Sequence, residues 1–134
     1  TENKADAGFD NNLNYNNNLR VYRVAEAYLN AAELLLETGG DAGLAKDYVN
    51  KIRRRAGIAE LGAVTLDDVI NERRLEFVGE GKRYFDLVRT GKAATVLVPD
   101  SYGYRTNSWT ESKKYIPIAQ AELDSDPALV QNNY

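Results

Sequence analysis

Two neighbouring segments near the start of the chain place apolar residues at spacings of three and four. In the segment from Leu19 to Thr38 the repeating residues are Tyr22, Ala25, Tyr28, Leu29, Ala32, Leu35 and Leu36. In the segment from about Gly43 to Ala56 they are Leu44, Tyr48, Val49 and Ile52. Such spacings place apolar side chains on one face of a helix. Because only the four residues from Gly39 to Ala42 separate these segments, the sequence predicts an antiparallel helical hairpin.

Two further helices are predicted over 66–79 and 83–93. Thr65 and Asp68 fit a capping box at the start of the first of them, and Gly79 and Gly81 should end it. Beyond Val96 the chain is rich in turn-forming residues, and only the stretch from Lys114 to Ile118 is expected to be extended. The predicted fold class is mainly all-α: a tetratricopeptide-like antiparallel hairpin, two further helices and long irregular C-terminal loops.

The first residues of the chain differ in composition from the rest. Residues 1–18 are rich in asparagine, which favours turns over helices, so a loop or arm is predicted there. Residues 19–134 are predicted to form one helical domain. The chain lacks Met and starts at Thr1, so we expect a fragment or a processed chain cut from a longer precursor.

Composition excludes several classes of function. The chain has no Cys and no His, so disulfides, zinc sites and catalytic dyads built on those residues are excluded. A net charge of −3 gives no reason to expect a nucleic-acid surface. No phosphate-binding glycine motif is present. We therefore expect no cofactor, no metal and no nucleic-acid partner.

Charged residues of both signs crowd the segment from Asn71 to Lys92. Two carboxylates here could act as an acid/base pair for glycoside hydrolysis, which needs a separation of about 5 to 9.5 Å across a cleft. Carboxylates on adjacent helical turns point the same way, so the sequence favours a structural ion-pair network with arginine. The residues assigned to that network are Glu72, Arg73, Arg74, Glu76, Arg83 and Asp86.

Aromatic and polar residues are mixed on the predicted loop from Tyr102 to Trp109. Trp and Tyr rings offer flat faces for sugar C–H groups, and their polar atoms can form hydrogen bonds. Loops on a rigid scaffold often carry binding residues, although these rings could equally pack against other parts of a larger protein. The candidate ligand-binding residues are Trp109, Tyr102, Tyr104, Arg105 and Asn107.

Four blocks in order resemble the C-terminal region of the SusD/RagB family. The first is LRVYRVAEAYLNAAELLLETG, with Arg23, Ala25 and Glu26 at the matching positions. The second is YVNKIRRRAGI, with Asn50, Arg53, Arg55, Ala56 and Gly57. The third is NERRLEFVGEGKRYFDLVRTGK, and the fourth is the ending YIPIAQAELDSDPALVQNNY. Each block alone is weak, but their order and spacing agree from about Leu19 to Tyr134.

This resemblance implies a non-enzymatic lipoprotein of the outer-membrane surface that binds oligosaccharides, or sometimes peptides. It implies a partner too, a SusC-like TonB-dependent transporter, and a lipid anchor that this chain does not contain. The family's sugar contacts share no motif, so the resemblance transfers no ligand residue. A tetratricopeptide-like protein–protein interaction module without sugar binding remains the alternative, and a glycosidase is the weakest hypothesis.

Overall fold

A computed structural model describes residues 21–133 of the chain. The predicted arm over 1–18, the predicted helix start at Leu19 and the final Tyr134 lie outside the described residues. Within 21–133 the secondary structure is helical and contains no strand, which confirms the all-α fold class. No helix among these residues is both long and apolar enough to cross a bilayer. The chain divides into two compact units after Glu72. The single domain predicted over 19–134 stays a prediction.

The first unit is built on the helical hairpin. Helix α1 spans Val24–Glu37 and helix α2 spans Ala42–Arg55. Gly39 adopts a φ of 69°, a left-handed conformation that glycine reaches without strain. The Asp41 carboxylate accepts a hydrogen bond of 3.0 Å from the Leu44 amide and caps α2 as predicted. The connection between the helices is thus short, and the two helices pack side by side.

The core of the hairpin comes from both predicted faces. Leu29, Ala32, Val49 and Ile52 are buried, and Ala45 joins them. Two predicted members are exposed instead. Tyr22 precedes the first helical residue and is 60% exposed, because Arg23 is still extended. Leu44 lies in the first turn of α2, where it is 39% exposed.

Helix α3 spans Leu66–Glu76 and begins with the predicted capping box. The Thr65 amide and hydroxyl both donate to the Asp68 carboxylate, at 2.8 and 2.7 Å, and the Asp68 amide donates back to the Thr65 hydroxyl at 3.3 Å. The helix ends three residues earlier than predicted. Val78 consequently lies in the turn beyond it and is 76% exposed.

The second unit contains shorter helices than the sequence predicted. Helix α4 spans Arg83–Arg89 and helix α5 spans Ala93–Val96. The single helix predicted over 83–93 was wrong because Gly91, with a φ of 69°, leaves the helical conformation. A 3-10 turn over Glu111–Lys114 replaces the start of the predicted extended segment. Helix α6, Gln120–Ser125, was not predicted.

Candidate functional site

The basic end of α2 is tied to the start of the charged segment within the first unit. Arg53 Nη1 donates to Glu72 Oε2 at 2.7 Å, and the Glu72 side chain is only 4% exposed. Arg53 Nε also donates to the Ala59 carbonyl at 2.7 Å. Arg53, in the last turn of α2, thus has an acidic partner on α3. Glu72 is therefore engaged in a structural ion pair.

A second carboxylate, Asp86, lies between two arginines of the second unit. Arg73 Nε donates to both of its oxygens at 3.0 Å, and both side chains are nearly fully buried. Arg89 Nη2 approaches from the solvent side at 2.8 Å. The Arg73 guanidinium also lies 5.2 Å from the centre of the Phe77 ring. A carboxylate held this way stabilises the fold.

The other residues assigned to the network occupy different environments. Arg74 is exposed and Glu76 is half-buried. Arg83 has a buried Nη1 atom without a hydrogen-bond partner. Burial lowers the pKa of Arg83, the nearby Arg74 charge lowers it further, and Asp86 acts in the opposite direction. Among residues 21–133 no group of three acidic or other metal-binding side chains could hold a metal ion.

A cavity of about 210 Å³ lies in the second unit, and we call it the Trp109 cavity. Three parts of the chain meet around it: the end of α4, the start of α5 and the 3-10 turn. Its lining includes Arg89, Gly91, Ala93, Trp109, Glu111 and Lys114. The break at Gly91 opens this space, since α4 and α5 would otherwise continue as one helix.

Trp109 is held in place by several hydrogen bonds. Its backbone amide donates to the Leu97 carbonyl at 2.9 Å. Its indole Nε1 donates to the Tyr84 hydroxyl at 3.3 Å, and that hydroxyl in turn donates to the Lys113 carbonyl. The indole therefore presents a fixed, half-buried wall to the cavity.

Residues 100–105 form a separate structure that we call the tyrosine turn. The Asp100 carboxylate accepts hydrogen bonds from the amides of Tyr102, Tyr104 and Arg105, at 2.9, 3.2 and 2.8 Å. The two tyrosine rings lie 6.3 Å apart and are 83% and 92% exposed. Desolvation raises the pKa of Asp100, but the backbone amides together outweigh it and hold the pKa below its usual value.

The five candidate ligand residues thus fall into different settings. Tyr102 and Tyr104 lie together on the tyrosine turn, while Trp109 lines the cavity. Arg105 uses its Nη1 to bind the carbonyls of Val98 at 3.1 Å and Val96 at 3.4 Å, and Asn107 is exposed.

Sequence reasoning had not assigned three polar residues of the cavity, Arg89, Glu111 and Lys114, to a ligand site. No sequence pattern joins them, because the fold alone brings the 3-10 turn to the end of α4.

Comparison with known proteins gives a consistent result. The model of the SusD family matches residues 2–134. Surface glycan-binding protein A from Bacteroides uniformis is 68% identical, with a TM-score of 0.83 over 91% of this chain and 29% of that one. The same-named protein from Bacteroides thetaiotaomicron, solved in complex with laminarihexaose, is 62% identical with a TM-score of 0.80, over 91% of this chain and 26% of that one.

A curated relative is more distant. The starch-binding protein SusD of Bacteroides thetaiotaomicron is 34% identical over 116 residues, which are 84% of this chain and 20% of that protein. The chain spans a quarter or less of the length of the curated relatives it matches.

Proposed function

The chain belongs to the SusD family, and on that premise we propose that it is part of a non-enzymatic, cell-surface glycan-binding protein. The ligand is an oligosaccharide of the laminarihexaose type, a neutral chain of glucose units. The observation that carries this proposal is the 62% identity to a surface glycan-binding protein solved with laminarihexaose. The starch-binding relative is only 34% identical, so a laminari-type glucan is favoured over starch.

A binding role without catalysis agrees with the carboxylates of the described chain. Glycoside hydrolysis needs two carboxyl groups that face each other across the bound sugar. Glu72 and Asp86 are instead buried in ion pairs with Arg53 and Arg73. The relatives are named as glycan-binding or starch-binding proteins, which supports the same conclusion.

We infer the location and the partner from membership of the SusD family, which supports both. We place the full-length protein at the outer-membrane surface as a lipoprotein, where it delivers glycan to a SusC-like TonB-dependent transporter. Co-purification of the full-length protein with such a transporter from its own membranes is the test. Recovery of the protein without any transporter, after mild detergent extraction, would contradict the partnership.

Titration calorimetry tests ligand binding. The chain and the full-length relative from Bacteroides thetaiotaomicron are titrated side by side with laminarihexaose and with maltohexaose. A chimaera of the relative, carrying residues 21–133 of this chain in place of its matching segment, completes the set. We expect the chimaera to bind laminarihexaose more tightly than maltohexaose. A folded chimaera that binds neither sugar, beside a relative that binds laminarihexaose, would refute the proposal.

A further inference from the structure

We propose that the Trp109 cavity binds one sugar unit of the oligosaccharide. This inference rests on the proposed function and assigns a particular place to the ligand. The pyranose ring stacks on the Trp109 indole, and its hydroxyls form hydrogen bonds with Glu111 and Lys114. The proposal thus concerns a concave site, separate from the exposed tyrosine turn.

The size of the cavity sets the size of its ligand. Pockets for drug-sized molecules occupy roughly 300–1,000 Å³, whereas this cavity measures about 210 Å³. It is therefore too small for an oligosaccharide and suited to one ring of it. The remaining units of a longer glycan must extend outside the cavity.

The aromatic wall is already in its binding orientation. The indole is fixed by the Tyr84 hydroxyl, and the backbone at Trp109 is fixed by the Leu97 carbonyl. A side chain locked by such contacts loses little rotamer freedom when a ligand arrives, so more of the contact energy remains as affinity. The flat face of the indole suits the C–H groups of a glucose ring.

The polar groups beside the indole are available to a ligand. Glu111 and Lys114 are exposed, and among the described residues their side chains form no hydrogen bond or ion pair, although Lys114 Nζ lies 6.0 Å from the centre of the Tyr115 ring. A carboxylate accepts hydrogen bonds and an ammonium group donates them, so together they match the hydroxyls of a neutral sugar. Arg89 also lines the cavity, and its Nη2 donates to Asp86 Oδ1 at 2.8 Å.

The chain carries a built-in reporter for this site, since Trp109 is its only tryptophan. Laminarihexaose is titrated into the chain by calorimetry, which detects binding anywhere, and by tryptophan fluorescence with acrylamide quenching, which reports on the cavity. We expect the indole to become protected from acrylamide with the same midpoint as the calorimetric heat. Heat without any change in quenching would overturn the cavity proposal and leave the proposed function intact. Absence of heat with the chain would overturn the cavity proposal, and absence of heat with the chimaera as well would overturn the proposed function.

Variants then test the individual contacts. Trp109→Ala and Glu111→Gln should each weaken laminarihexaose binding, the former by about tenfold or more, which corresponds to ~1.4 kcal/mol. Glu111 is exposed and unpaired, so Glu111→Gln keeps the test valid if Trp109→Ala fails to fold, as judged by circular dichroism. Glu122→Gln is the matched control for Glu111→Gln, because Glu122 is an exposed carboxylate of the same unit and does not line the cavity. Loss of binding in Tyr104→Ala, with Glu111→Gln unaffected, would move the site to the tyrosine turn and overturn the proposal.

Discussion

Removing the Asp86 carboxylate should destabilise the second unit strongly. Asp86→Ala removes the carboxylate that Arg73 Nε binds, and both side chains are at most 4% exposed. The Arg73 guanidinium is then a buried charge without its carboxylate, and breaking such a pair typically costs about 3–5 kcal/mol. Arg89 adds little to this cost because its side chain is 42% exposed and can turn to water. The loss is a fifth or more of the ~5–15 kcal/mol that stabilises a typical domain.

Urea denaturation measures the effect of Asp86→Ala. Trp109 fluorescence reports on the second unit alone, since this single tryptophan belongs to it. If the free energy of unfolding falls by ~2 kcal/mol for each molar of urea, the urea midpoint of Asp86→Ala should lie about 1.5–2.5 M below that of the wild type. Asp124→Ala is the matched control, because Asp124 is an exposed carboxylate of the same unit, and such surface changes usually stay within about 0.5 kcal/mol.

A double variant distinguishes the effect of losing the Arg73–Asp86 ion pair from the effect of losing side-chain volume. Arg73→Met combined with Asp86→Leu replaces the pair by apolar side chains, which is often neutral or stabilising at buried ion pairs. We therefore expect the double variant to recover most of the stability that Asp86→Ala loses. If Asp86→Ala costs less than about 1 kcal/mol, as an exposed pair does, the argument that this pair is buried and structural fails.

Three further outcomes are expected. Thr65→Ala should cost about 0.5–2 kcal/mol in urea denaturation, because it removes the cap of α3; an unchanged midpoint would contradict the observed capping box. Ala32→Phe should overpack the hairpin by roughly 1–3 kcal/mol, whereas Ala27→Phe, on the exposed side of α1, should not; equal effects would refute the packing. The pKa of Asp100 is lowered in the folded chain. The ionised carboxylate therefore stabilises the tyrosine turn above about pH 4, and this stabilisation is lost as the pH falls through the lowered pKa. Amide exchange in the tyrosine turn should accelerate over that range in the wild type but not in Asp100→Asn, and a flat wild-type profile would disprove the link.

The starts of α2 and α3 were predictable because their signals are local, whereas α1 begins at Val24 and not near Leu19 as predicted. Periodicity located α1 to α4, and the caps at Asp41 and Thr65 depend on residues only three positions away. Helix ends were less predictable. Apolar residues occur at helical spacing both before and after Gly91. The spacing therefore does not indicate that the chain leaves the helix at this residue.

Burial was predictable only in part. The apolar face of α1 also carries Glu26 and Glu33, which are buried at 9% and 5% exposure, while Leu75 on α3 is 50% exposed. A periodic pattern defines a face but not how much of it is covered. The Trp109 cavity had no sequence signal for a related reason, since its walls come from segments that only tertiary packing brings together.

The irregular segments of both units are anchored by side-chain amides. Asn50 donates to the Leu61 carbonyl at 3.0 Å and accepts from the Leu61 amide at 2.9 Å. Gln131 does the same with Ile118, at 2.9 and 3.0 Å. Each side-chain amide thus pairs with the backbone N–H and C=O of one residue, as a neighbouring β-strand would. Residues 21–133 contain no sheet.

A true edge strand offers a row of free backbone groups on which other chains can assemble. At Leu61 and Ile118 both backbone groups are already paired, so an approaching chain finds no ladder to extend. Asn50→Asp or Gln131→Glu would keep the size of the side chain but remove the N–H group that donates to the Leu61 or Ile118 carbonyl. Such a change leaves that carbonyl without its side-chain donor, and a carbonyl left unpaired away from water costs about 1–3 kcal/mol.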